Sequence, residues 1–340
     1  MHLVDGSCFG PKEAGAEVHK LYSNIGKDVY AVGVRCADDL YADYYFDGEK
    51  ELKFFYKCRD SVADMDAFSQ ACRNVMKHVS STTCRNVKSV YLDYMVLARA
   101  FANKTLSGSS EMEDLDGITG EYLPVIAAGF ETDFEERLRF KSIDTIGFYP
   151  IVADAGWYEL VASCGAKTIQ LRIKSGSKHK IEEEVGLCSE IAAKYGAKLI
   201  VNDHWEVALK YKAYGVHLGQ DDLKTADLNT IRESETRLGI STHCFHELAT
   251  ALFYKPSYIA FGAIYGTTSK EMEFKAQSTS LLSRWVKCAT CPVVAIGGIT
   301  LSNVEDVVRT GVSGIAVISA VTHAADPKQA VKEFIRICGA

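Results

Sequence analysis

A chain of 340 residues with 47% hydrophobic and 24% charged side chains has the make-up of a folded globular protein, which excludes a wholly disordered or collagen-like chain. The formal net charge of −6 is carried by the first part, where residues 1–146 hold seven more acids than bases and the remainder is close to balance. No basic stripe marks a nucleic-acid binder, and apolar runs such as Pro292 to Ile296 fall far short of the ~20 residues that cross a bilayer.

The opening Met1-His2-Leu3-Val4-Asp5 has neither a basic nor a continuous apolar stretch, so a cytoplasmic protein without a membrane partner is expected. Eleven cysteines are scattered between Cys8 and Cys338, the pattern of reduced, mostly buried thiols.

The length suggests two domains, divided here as 1–145 and 146–340. In the first, Val29–Val34 and Tyr44–Phe46 are strand-like, and Tyr91–Leu106 is helical with Leu92, Met95, Val96, Arg99 and Ala100 on one side. The polar, acidic stretch 107–117 is a linker, and a second linker ends near Asp144. This part is an α/β extension to which no chemistry is assigned, because Gly6-Ser-Cys-Phe-Gly10-Pro-Lys lacks the spacing of a phosphate loop.

From Gly147 onward β-branched runs alternate with amphipathic segments, as in parallel βα units. The expected strands are Phe148–Ala153, Thr168–Arg172, Lys198–Asn202, Gly215–Leu218, Leu238–Ser241, Tyr258–Gly262, Val293–Ile296 and Gly314–Val317. Eight repeats fit an α/β fold of the closed (β/α)8 TIM-barrel type. Ile181, Val185, Cys188, Ile191 and Ala192 recur at helical spacing, and Thr300-Leu-Ser302-Asn-Val-Glu305 offers hydroxyl caps for a helix that Gly311 stops.

In such barrels the active groups lie at the C-terminal strand ends. The second repeat ends in Gln170-Leu-Arg172-Ile-Lys174, whose period of two sends an amide and two cations to one face. Carboxylates follow at Asn202-Asp203 and at Gly219-Gln-Asp-Asp222. Oxygen ligands beside cations suggest Mg²⁺ shared with a substrate phosphate, although Asp203 could equally cap the following helix. The fifth repeat ends in Ser241-Thr-His243, and the sixth leads into Gly266-Thr267-Thr-Ser269-Lys270, a set of hydroxyls, N–H groups and a lysine that suits a phosphate or an ordinary polar turn. Gly297-Gly298-Ile299 and Ile318-Ser319 stand where many barrels bind phosphate. Two anionic groups are therefore expected, one near the acids and cations and one near the last two strands.

These strings, together with Val201-Asn-Asp-His-Trp205, Gly215-Val-His-Leu-Gly-Gln220 and Gly239-Ile-Ser-Thr-His243, resemble thiamine phosphate synthase over about residues 146–340. The resemblance implies a transferase that joins a hydroxymethyl-aminopyrimidine diphosphate to a thiazole phosphate with loss of pyrophosphate. It implies Mg²⁺ at Asp203 and Asp222, and pyrophosphate at Arg172, Lys174 and Lys270. Gln170, Asn202 and Ser241 would complete the pyrimidine diphosphate site, and Thr267, Ser269, Gly298, Ile318 and Ser319 would hold the thiazole phosphate. The implied mechanism is dissociative and needs no nucleophilic side chain.

The other readings are a thiazole tautomerase, for which the acid pair and two cations would be superfluous, and a non-catalytic binder of a thiazole or pyrimidine phosphate. The partners expected are small phosphorylated molecules, and a homo-oligomer is compatible with the sequence. Cys288-Ala-Thr-Cys291 has no second pair and is read as packing. His243-Cys-Phe-His246 lacks a third ligand, so His243 is expected to cap or line a pocket. Trp205 and Trp285 are read as packing residues. Asp43-Tyr-Tyr-Phe-Asp47-Gly48 and Tyr91–Leu106 faintly resemble hydroxymethylpyrimidine phosphate kinase without its anion loop, as in an inactive remnant.

Overall fold

The computed structural model describes residues 1–7, 9–37, 39–57, 68–72, 75, 87–106, 118–129, 138–266 and 276–339. They form two units, Met1–Arg137 with Cys244–Tyr254 and Leu138–His243 with Lys255–Ala340.

In the first unit a sheet of order β1-β2-β3-β4-β5 is made by His2–Asp5, Val29–Arg35, Leu40–Phe46, Glu51–Lys57 and Val125–Ala128. β1 and β2 are parallel across the helix α1 (Ala14–Ile25), and the later pairs are antiparallel. Gly26, at φ 66°, ends α1 in the left-handed conformation that glycine adopts without strain. The helix α2, Val87–Leu106, carries Arg99 on its apolar face because of a distant partner. Arg99 and Asp43 are both fully buried and pair at 2.6 Å, while Tyr30 and Tyr56 donate their hydroxyls to the same carboxylate. A buried ion pair of this kind persists only when the other lone pairs of the acid are satisfied. The helix Phe245–Phe253 belongs to this unit, with Phe253 in a core that includes Val29, Ala31, Tyr44 and Phe55.

The second unit is a closed parallel barrel of eight strands in chain order. They are β6 Gly147–Val152, β7 Thr168–Leu171, β8 Lys198–Asn202, β9 Gly215–Leu218, β10 Arg237–Thr242, β11 Tyr258–Gly262, β12 Val293–Ile296 and β13 Gly314–Val317. Inward residues of alternate pleat fill the barrel, among them Tyr149, Ile151, Ile200, Tyr258, Ala260, Val294 and Ala316. Several of the helices that follow are started by side-chain caps: Asp154 accepts from Trp157 N, Ser177 from Lys180 N and Asp326 from Gln329 N.

Two expectations shift. β7 ends at Leu171, one residue short of the expected bound, so Arg172 and Lys174 lie beyond the strand, although Arg172 still donates its N–H to Val152 O and lines one cavity with Gln170 and another with Lys174. The helix after β12 starts at Val304, with Asn303 rather than a hydroxyl at its cap; Asn303 instead accepts from Thr300 N and donates to Gly298 O. Among the described residues no helix is long and apolar enough to cross a membrane.

Candidate active site

The C-terminal strand ends of the barrel surround three cavities that all include Ile318 in their walls. The innermost, about 160 Å³, is lined by Gln170, Arg172, Asn202, Ser241, His243 and Gly297 among others. A larger one of about 480 Å³ contains Arg172 and Lys174 with Asp154, Lys180 and Glu184. A small one of about 30 Å³ is bounded by Gly297, Gly298, Ile318 and Ser319. The structure thus brings together Gln170, Arg172, Lys174, Asn202, Ser241, Gly298, Ile318 and Ser319. Thr267, Ser269 and Lys270 lie outside the described residues.

Asp203 follows β8 with φ 63°, a conformation rare for a residue with a Cβ and least costly for Asp and Asn. Its N–H donates to His217 O at 2.9 Å. The next helix, Trp205–Lys210, has no side-chain cap, so the capping alternative does not apply to Asp203. Its carboxyl meets Asp222 instead. Desolvation, and then the charge and hydrogen bond of Asp222, push its pKa above the ordinary carboxylate range, opposed by the Arg172 cation. Asp222 opens a short turn, Asp222–Lys224, and accepts from Gly219 N at 3.1 Å. Two carboxylates and a guanidinium therefore share one rim, and two facing carboxylates are a donor set that suits a hard divalent cation.

Beneath that rim runs a polar chain inside the barrel. Gln170 donates through Nε2 to the Tyr149 hydroxyl at 2.9 Å, which lies 2.7 Å from the Tyr258 hydroxyl. His217 contacts Tyr258 through Nδ1 at 2.9 Å and Ser241 Oγ through Nε2 at 2.8 Å. Burial, reinforced by Arg172 and His243, lowers the His217 pKa to about 4, so this ring is neutral near pH 7. Gln220 fixes the same strand end by donating to Ser241 O at 2.6 Å.

Glycines give the last two strand ends their shape. A Cβ on Gly298, at φ 65°, would stand 2.6 Å from Gly266 O, and one on Gly297, at φ 100°, 2.4 Å from the Ala263 Cβ.

Sequence reasoning assigns no role to Tyr149, His217 and Tyr258. The signal that could have found them is a polar or aromatic side chain set among the apolar residues of β6, β9 and β11. His243 lines a pocket as expected, the inner cavity, and His246 has partners of its own: in the first unit Cys244, His246 and Asp93 place ligand atoms within 4.8 Å of one another. The third partner missing from the sequence is thus Asp93, which accepts from His246 N and Nδ1 at 2.9 and 3.0 Å. That is the geometry of a carboxylate holding a helix start. Cys288 and Cys291 are not joined in a disulfide, and Trp285 is fully buried, stacked on Phe261 at 4.0 Å.

A family profile described as thiamine monophosphate synthase matches residues 152–321. A thiamine-phosphate synthase of Enterobacter sp. (strain 638) is 43% identical over 196 residues, covering 57% of this chain and 93% of its own. The corresponding protein of Yersinia pseudotuberculosis serotype O:1b (strain IP 31758) is 45% identical over 193 residues, 56% of this chain and 90% of its own. Among solved structures, a thiamine phosphate pyrophosphorylase from Pyrococcus furiosus superposes with a TM-score of 0.51 at 30% identity, over 57% of this chain and 95% of that one.

Proposed function

The chain belongs to the thiamine monophosphate synthase family, and from that premise we propose how its own side chains divide the work. The activity is a transfer, in which a hydroxymethylpyrimidine diphosphate is coupled to a thiazole phosphate to give thiamine phosphate and pyrophosphate. We assign the chemistry to residues 146–340 and to the cytoplasm, the compartment expected of an enzyme acting on small phosphorylated metabolites.

The observation that carries the assignment is the adjacency of the three cavities, with Ile318 common to all. Reading inward from the rim, Arg172 and Lys174, joined by Lys270, bind the diphosphate and its departing pyrophosphate. A planar guanidinium suits two phosphate oxygens at once. Gln170, Asn202 and Ser241 hold the pyrimidine end in the inner cavity. Thr267, Ser269, Gly298, Ile318 and Ser319 hold the thiazole phosphate, with Gly298 taking the positive φ that lets the chain pack against Gly266 at this strand end.

Asp203 and Asp222 are the residues that would hold Mg²⁺. The fit lies in the donor set, two facing carboxylates of which Asp203 is raised first by burial and then by the charge of Asp222, a cost that a bound cation would relieve. When bound, the ion supplies charge neutralisation on the diphosphate.

The carbon–oxygen bond to pyrophosphate breaks, electrons from the aminopyrimidine support the methylene cation, and the thiazole nitrogen forms the new bond. No side chain acts as nucleophile. His217 is engaged at both ring nitrogens, and the cation chemistry needs orientation and leaving-group stabilisation rather than a base. The test is pyrophosphate release measured with both substrates, with either alone, and with or without Mg²⁺. Coupled release that requires both substrates and the metal is expected; release independent of the thiazole phosphate would overturn the reading.

A further inference from the structure

The proposed roles use Gln170 and Ser241 but not the polar side chains between them. Tyr149, Tyr258 and His217 are 1%, 0% and 6% exposed, and burying two hydroxyls and an imidazole is costly unless each is paired. Each is paired, and in one line: Gln170 Nε2 to Tyr149, Tyr149 to Tyr258, Tyr258 to His217 Nδ1, and His217 Nε2 to Ser241 Oγ, at 2.7–2.9 Å throughout.

A hydroxyl has one proton to give and a neutral imidazole has one N–H. A phenol oxygen can accept twice, but among the described residues Tyr258 is the one acceptor within reach of the buried Tyr149 O–H, so the need to pair that proton lets the direction of the first link set the others. With the Gln170 amide nitrogen donating to Tyr149, Tyr149 must donate to Tyr258 and Tyr258 to His217 Nδ1. His217 is then the Nε2–H tautomer and donates to Ser241 Oγ, which leaves the serine proton for the cavity. At the opposite end Gln170 Oε1 is turned away from Tyr149 and is the amide's remaining acceptor. The reverse order would present N–H at Gln170 and a lone pair at Ser241.

We propose that Tyr149, Tyr258 and His217 are positioning residues that order Gln170 and Ser241 as a matched acceptor and donor for one pyrimidine diphosphate. The inference rests on the pyrimidine site assigned above and adds its specificity. A ring amine meets an acceptor while an oxygen of the same substrate meets a donor, and both contacts favour the same order. A pyrimidine with an oxo group in place of the amine opposes that order at one end, and the chain transmits the mismatch to the other.

The decisive variant is Tyr258→Phe, which cuts the line at its middle with the loss of one hydroxyl. The KM for pyrimidine diphosphate is expected to rise about tenfold while kcat changes less than about threefold, the scale of one or two lost hydrogen bonds. The KM for thiazole phosphate should stay within about twofold. In the unmodified chain the losses from Gln170→Ala and Ser241→Ala should combine to less than their product, because either cut already frees the order; in the Tyr258→Phe background they should multiply. Independently, ¹⁵N-histidine spectra of the wild-type protein with pyrimidine diphosphate and Mg²⁺, with His217 identified by its loss in His217→Gln, should show the Nε2–H tautomer. An Nδ1–H tautomer, or losses that multiply in both backgrounds with an unmoved pyrimidine KM, overturns the proposal. A wild-type protein that releases no pyrophosphate from the two substrates would overturn the function assigned above instead, and the tautomer would still report on the chain.

Discussion

At Asp203 backbone and charge bear on the same residue. Its φ of 63° makes Asn the gentlest replacement, since Asn tolerates the left-handed region better than Ala does. Asp203→Asn should leave the fold in place and lower turnover by about a hundredfold or more, the scale of lost electrostatic stabilisation at a reacting centre. Lys270→Ala should cost a comparable factor in the same steady-state assay. Turnover near wild type in either variant would remove that residue from the site.

The thiols give the pH-dependent case at the same scale. Burial pushes both Cys288 and Cys291 up to about 12, so the thiolate, which is the reactive form, is scarce below that value and grows only as pH rises towards it. Iodoacetamide labelling of the native protein between pH 7 and 9 should spare both positions, as read by peptide mass mapping. Rapid labelling, or retained zinc lost on Cys288→Ser, would revive a metal or redox role for the pair.

Among the elements, the inner barrel wall shows how tightly a strand can be constrained by its neighbour. On β10, Gly239 lies beside Tyr258 of β11, and a Cβ there would stand 2.1 Å from the Tyr258 ring. The ring occupies the volume that a side chain would need. Gly239→Ala should therefore destabilise the protein by about 3 kcal/mol, towards the upper end of overpacking costs, and displace the hydroxyl line that Tyr258 carries. A urea midpoint equal to wild type would show that the wall yields. Gly298 makes the same point at a strand end, because its positive φ and the carbonyl of Gly266 both exclude a side chain.

For the whole molecule, the telling feature is that the helix Phe245–Phe253, placed by chain order between β10 and β11, belongs to the first unit. There Phe253 stacks on Phe55 at 6.5 Å, and Asp93 holds the helix start through His246. A fragment beginning at Leu138 keeps all eight barrel strands but strips this helix of those partners. It should melt lower by about 5 °C or more and self-associate on size exclusion, with Phe253→Gln restoring much of the solubility. A monomeric fragment as stable as the full chain would show that the helix finds adequate cover without residues 1–137.

Local sequence is enough to specify the barrel. Alternation of β-branched runs with helical periodicity is a property of short windows, which is why the strands Lys198–Asn202, Gly215–Leu218 and Val293–Ile296 have the bounds that their residues alone imply. The strand-end polar groups are legible for the same reason, because Gln170, Asn202 and Ser241 interrupt apolar runs. The first unit is harder to read, since β1, β4, β5 and α1 carry no such repeat and their pairing is set by distant partners. Three arrangements come from the folded chain alone: Asp203 faces Asp222 rather than a helix start, Asp93 stands beside His246, and Tyr149, Tyr258 and His217 join Gln170 to Ser241. These are meetings of residues far apart in the chain, brought together by tertiary packing, which a short window of residues does not contain.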